Sequence, residues 1–190
     1  MLALLGAAGG LAGCGERGAD PAVLRQAEAD RQAAARERAA AELEARRVAA
    51  LWTYHDVPVE SGRQLSATIA SRENVETDGA SARPVRLVFR DHPSWGRSSY
   101  LLLESGDFSC GRRCTVSVSV DDTAPASMAA RRPPTDEAIA LFINDAQALW
   151  DRIAGAGRLS IEFPVRAGGT RTATFDVGGL DRAKMPSWDR

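Results

Sequence analysis

From residue 52 onward, apolar and polar side chains alternate in short runs. Leu65-Ser66-Ala67-Thr68-Ile69 alternates, and Val85, Leu87 and Phe89 fall on one side of the next run. Tyr100 to Leu103 is apolar and strand-like, and Thr115 to Val120 sets Val116, Val118 and Val120 against Thr115, Ser117 and Ser119. A period of two marks strands with one face on a core and the other in water. Asp78-Gly79, His92-Pro93 and Ser105-Gly106-Asp107 separate the runs as turns. Two further strands close the pattern: Leu159, Ile161 and Phe163 share a face, as do Ala173, Phe175 and Val177, with Gly168-Gly169 turning between them. Between the two sets, Ile139, Phe142, Ile143, Ala146, Leu149, Trp150 and Ile153 recur at helical spacing. Thr135 supplies a cap, Asp136 and Glu137 suit the first turn, and Gly155 and Gly157 supply an end. One amphipathic helix is therefore predicted over 136–154. Most connections are too short for parallel crossovers, so the strands should pair antiparallel. The expected fold class is α+β: a mainly antiparallel sheet or sandwich covered by one amphipathic helix.

Ahead of this domain the pattern is different. Residues 21–50 are rich in Ala, Glu, Arg and Gln, with Asp20 placed to cap and Pro21 at the first helical position. Glu42 with Arg46, Arg38 with Glu42, and Glu44 with Arg47 add charge pairs at helical spacing. Large apolar residues are sparse (Val23, Leu24, Leu43, Val48, Leu51), and no heptad seam runs through them. The segment reads as a solvated helical spacer whose end, Val48 to Trp52, docks on the domain. Residues 2–13 form an apolar run too short to cross a bilayer, which takes about 20 residues, and of the length of a signal-peptide core. Met1 passes directly to Leu2, so the basic segment that opens such signals is expected upstream, through an earlier start or in a chain of which this is a part.

The run ends in Leu11-Ala12-Gly13-Cys14, which resembles the lipobox of bacterial lipoproteins. That resemblance implies diacylglyceryl transfer to the Cys14 thiol, cleavage before it, and acylation of the new amino terminus. Several acyl chains make a stable anchor where a single one is marginal. Gly15 resembles the default route to the outer membrane of a Gram-negative cell. The expected organisation is a signal peptide (1–13), a lipidated tether (14–20), a helical spacer (21–50), a globular domain (51–182) and a C-terminal tail (183–190).

Cysteine arithmetic follows from this. The chain has 3 cysteines; lipidation of Cys14 leaves Cys110 and Cys114 as an even pair. An exported protein meets an oxidising compartment, so a disulfide between them is expected. C-x-x-x-C is one residue longer than the redox spacing, and with His55 and His92 the only histidines the pair makes a poor zinc site. No metal and no cofactor is expected. Net charge is −1, so nothing points to a nucleic-acid partner. Of 24 basic residues only Lys184 is lysine. That bias reads either as recognition of carboxylates or phosphates or as the mark of a GC-rich coding sequence.

Candidate chemistry is thin. His55 adjoins Asp56, with Trp52 and Tyr54 close by, but neighbouring strand residues point to opposite faces. Ser61 and Ser71 are available as nucleophiles with no G-x-S-x-G elbow around them. His92 reads as a solvated turn histidine. Asp121-Asp122 either joins a cation site with Asp107 or marks a solvated turn. Arg112 and Arg113, and Arg131 and Arg132, either form a positive surface for acidic partners or lipid headgroups, or are solvated arginines.

The stretch from Trp52 to Leu180 resembles a broad group of periplasmic proteins. The shared features are the opening Trp, a step at Ser71-Arg72-Glu73-Asn74, an L-x-x-R strand ending at Arg90, a strand ending in Val120-Asp121, a helix, and a closing F-D-V-x-G-L at Phe175 to Leu180. The last motif also resembles the end of the type VI secretion-associated TagO-like proteins. Those usually carry a cysteine near the position of Arg90, whereas here the cysteines are Cys110 and Cys114. The resemblance implies no active site. The expected function is a non-enzymatic binding or assembly role for a protein anchored by lipid to the outer membrane and facing the periplasm, with an envelope protein as partner. The alternatives are a periplasmic hydrolase using the Trp52–Asp56 region and an inhibitor lipoprotein. A cleft with His55 at its base would favour the enzyme; a flat or convex surface with a projecting Cys110–Cys114 tip would favour binding.

Overall fold

The computed structural model describes residues 20–133 and 139–189. The expected signal segment and Cys14, and the helix start at Thr135, Asp136 and Glu137, lie outside the described residues. Contacts divide the chain into two compact units, Met1–Ala41 and Glu42–Arg190. Helix α1 (Pro21–Ala49) begins in the first and ends in the second. Asp20 caps it, its carboxylate accepting the N–H of Ala22 at 2.8 Å. None of the helix is buried, as its lack of an apolar stripe requires. Within the second unit Arg47 pairs with Glu44 at 2.8 Å and reaches Asp176 at 3.6 Å.

The sheet of the second unit has nine strands, β1 (Trp52–Val59), β2 (Gly62–Ala70), β5 (Arg86–His92), β6 (Gly96–Leu102), β7 (Cys114–Val120), β8 (Ala126–Arg131), β9 (Ala140–Ile143), β10 (Arg158–Pro164) and β11 (Thr170–Asp176). A small ladder of β3 (Val75–Glu76) and β4 (Ala82–Arg83) interrupts the series. The large sheet runs β1-β2-β5-β6-β9-β8-β7-β10-β11, and its neighbours pair antiparallel. Twist curls it. The segment after β2 closes on the edge strand β11, where the Arg72 N–H donates to the Thr174 carbonyl at 2.7 Å and the Arg171 guanidinium meets the Glu76 carboxylate of β3 at 2.9 Å.

The concave face holds the core. Ala67, Leu87, Phe89, Leu101, Ile161 and Phe175 are fully buried there, each on the inward phase of its strand. The alternation read from Val85, Leu87 and Phe89, from Val116 and Val118, from Leu159, Ile161 and Phe163 and from Ala173, Phe175 and Val177 matches this burial. At its centre the Phe89 ring lies 5.1 Å from Trp150 and 5.4 Å from Trp188, both edge-on, and 6.3 Å from Trp52.

One expectation is corrected. The helix predicted over 136–154 is not one element. Ala140–Ile143 is strand β9, inserted between β6 and β8, and only Ala146–Arg152 is helical (α2). A four-residue apolar run satisfies either period. What divides the stretch is Asp145, whose carboxylate caps α2 by accepting the Ala148 N–H at 2.9 Å. Leu149 and Trp150 still point into the core, while Phe142 faces the opposite side of the sheet from Leu141 and Ile143. The stretch read as a C-terminal tail, 183–190, carries core side chains. Met185 and Trp188 are fully buried, and a 3-10 turn over Pro186–Asp189 holds the indole in place.

Candidate binding face

The convex side of β5, β6, β9 and β8 presents a row that the register fixes. Val88 lies opposite Tyr100, Tyr100 opposite Phe142, and Phe142 opposite Arg131. Because Leu87 and Phe89 point inward, Val88 and Arg90 point outward. The rings of Tyr100 and Phe142 lie 4.8 Å apart, half-buried. The Arg131 guanidinium sits 5.4 Å from the Phe142 ring. At the other end Arg90 lies 5.5 Å from the Tyr100 ring and 5.4 Å from that of Trp95, and its Nε donates to Ser98 Oγ at 3.2 Å. Burial raises the Tyr100 phenol above the ordinary tyrosine range, against the lowering effect of the Arg90 charge.

Trp95 projects from the β5–β6 hairpin and is 70% exposed, whereas every other Trp, Tyr and Phe of the described residues is buried or half-buried. His92 holds it. The His92 ring is buried and stacks on Trp95 at 3.9 Å, and its Nδ1 accepts the backbone N–H groups of Ser94 at 3.1 Å and Trp95 at 3.3 Å. His92 is thus a structural histidine of the hairpin and not a solvated one. Gly96, at φ +70°, closes the turn in a conformation other residues avoid.

The other residues singled out in the sequence are dispersed. His55 is exposed on β1, opposite Ser66. Asp56 turns to Arg63, at 2.6 Å, and Trp52 is buried. Tyr54 points away from His55, and its hydroxyl accepts the Asp181 N–H at 2.7 Å. Ser71 is engaged by backbone, donating to the Glu73 carbonyl at 2.7 Å and accepting the Val85 N–H at 3.0 Å. Asp121 and Asp107 do not share a site. Asp121 accepts the N–H groups of Gly157 at 3.0 Å and Arg158 at 2.8 Å, and both it and Asp122 adopt positive φ in a turn. Asp107 pairs with Arg132 and Arg166. Its partial burial raises its carboxyl, but the two guanidinium groups outweigh this and leave it lowered. Among the described residues no group of three or more His, Cys, Asp and Glu side chains stands ready to hold a metal.

Comparisons with family models, with curated proteins and with solved structures returned no match for this chain. The face is therefore read from its own geometry. A concavity elsewhere on the domain, of about 370 Å³, shows why charge alone does not select a site. It is lined by Glu44, Asp121, Asp122 and Asp176, but also by Arg47 and Arg158, which answer them.

Cys110 and Cys114 stand at disulfide distance, with Cα atoms 5.4 Å apart. Cys114 opens β7 opposite Ala130, so the pair ties the loop before β7 to the start of that strand. Arg112 and Arg113 are exposed on the loop it closes. The ring is small. Replacing both cysteines by serine is expected to cost about 2 kcal/mol by the chain-entropy argument, read as a loss of urea midpoint at unchanged slope. A linked peptide should appear in non-reducing mass spectra of protein alkylated at harvest. Free thiols there would refute the pairing.

Proposed function

We propose that this chain is a lipid-anchored envelope protein with a non-enzymatic binding role. It is held at the outer membrane through Cys14, and it takes a protein partner on the convex face of β5, β6, β9 and β8. The observation that carries the reading is Trp95. A protein that buries its other three tryptophans to 5% exposure or less leaves this one 70% exposed, ordered by His92 and flanked by Arg90. Trp, Tyr and Arg are the side chains that dominate binding energy at interfaces, and all three meet here. The lipobox-like Leu11 to Cys14 supports the anchor. A cysteine pair at disulfide distance suits an oxidising compartment. The 29 residues of α1 provide about 44 Å of helix at 1.5 Å per residue, a length suited to a spacer.

The test is photo-crosslinking in intact cells. A photoreactive residue at position 95 should give a discrete adduct, and one at Thr172, on the convex side of β11, should not. Adducts equal at both positions, or none at 95, would remove the reading. Cys14→Ser should abolish palmitate labelling and leave an unprocessed precursor; labelling that persists would remove the anchor.

A further inference from the structure

We infer that the partner presents carboxylates to this face, on an extended acidic segment that crosses the strands from Arg90 to Arg131. The inference rests on the binding role proposed above. Several arginines of the domain are answered by a carboxylate: Arg63 by Asp56, Arg86 by Glu104, Arg171 by Glu76 and Arg182 by Asp189. Among the described residues Arg90 and Arg131 form no such pair; they lie over aromatic rings instead. A guanidinium within about 6 Å of an aromatic ring is attracted by the ring's quadrupole, and it is more weakly hydrated than an ammonium, so it gives up little on meeting a carboxylate. In Arg90 the Nε is taken by Ser98, so the two terminal nitrogens remain as a fork for one carboxylate.

The spacing excludes one small anion bridging both arginines, and the aromatic pair between them suits a peptide whose own side chains cover it. Arg131 is on the third strand from Arg90 in the order β5-β6-β9-β8, and the register offsets Arg90 from the Val88–Tyr100–Phe142–Arg131 row by two residues. At about 4.8 Å per strand and 3.3 Å per residue, the two Cα atoms are roughly 14–16 Å apart. No single phosphate spans that distance. An extended chain does so with acidic residues four positions apart, about 13 Å, which also puts both on one face of the strand, and the residue midway between them then lies on the Tyr100–Phe142 pair. The Trp95 ring walls the Arg90 end.

The probe is a fluorescein-labelled peptide with two aspartates four positions apart and apolar residues between, read by anisotropy against the lipidated protein in detergent. Binding should weaken at least tenfold when both aspartates become asparagine, and about tenfold in Arg90→Gln and in Arg131→Gln. It should also fall as salt is raised. Arg90→Lys, which keeps the charge and loses the fork, should recover only part of the affinity. Unchanged circular-dichroism midpoints in these surface variants separate lost binding from lost fold. Equal binding of the aspartate and asparagine peptides, or indifference to the glutamine substitutions, overturns the inference. So does arginine-dependent sedimentation of the Cys14→Ser protein with phosphatidylglycerol vesicles in the absence of any preference for the acidic peptide. The adduct from position 95 distinguishes the two levels. If it persists in the Arg90→Gln/Arg131→Gln protein, the binding role stands and the carboxylate chemistry falls. If it is missing in the parent, the binding role falls first.

Discussion

Ending the chain at Lys184 is expected to destabilise the domain by about 5 kcal/mol or more. The truncation removes Met185 and Trp188, both fully buried, and loss of a buried tryptophan side chain alone costs about 3–5 kcal/mol. It also strips the core of polar ties at its margin. Gln147 Nε2 donates to the Trp188 carbonyl at 3.1 Å, the Trp150 indole N–H donates to Asp189 at 3.0 Å, and Arg97 donates to the Ser187 carbonyl at 3.2 Å. A domain with a total stability of about 5–15 kcal/mol then has little left. Thermal unfolding should begin at much lower temperature in the truncated protein, and Trp188→Phe should retain most of what truncation loses. An unchanged midpoint would mean that the last residues are not part of the core.

Phe89→Ala is expected to cost about 3–5 kcal/mol, because Phe89 is fully buried and touches three indoles at once. The effect should not add to that of Trp188→Ala. The two rings meet edge to face at 5.4 Å and 88°, an arrangement that contributes about 0.5–1.5 kcal/mol beyond the area it buries. Each single substitution loses that contribution, and the double variant loses it only once. Chemical denaturation of the four proteins gives the coupling, and a sum that is additive within error would place the two rings in independent sites.

Which parts of this fold were legible in the sequence depended on whether the signal was local. Strands β2, β5, β7, β10 and β11 each carry their own alternation, and a period of two is visible without knowing the neighbouring strand. The stretch from Ile139 to Ile153 misleads for the same reason. Its apolar positions fit a helix well, and only a single capping aspartate marks where the strand ends and the helix starts. Trp188 gives no local signal at all. Pro-Ser-Trp-Asp reads as a polar end, and its burial is decided by Phe89 and Trp150, distant in sequence. The candidate face was hidden by topology. Its members come from β5, β6, β8 and β9, whose order in the sheet is not their order in the chain, and the helical pattern assigns Phe142 to the core. The arginine bias and the Arg131-Arg132 pair pointed to a positive surface, but only the register separates Arg131, on the convex face, from Arg132, which turns to Asp107.

The distribution of the 4 tryptophans gives this protein two separate optical signals. Trp52, Trp150 and Trp188 sit in the core at 5% exposure or less, so their emission should stay blue-shifted and inaccessible to iodide until the domain opens. Trp95 alone meets solvent, so collisional quenching of the native protein should report on that one ring. Occupancy of the convex face and integrity of the core can then be followed in the same cuvette without any label, and a Trp95→Phe protein supplies the blank that separates them.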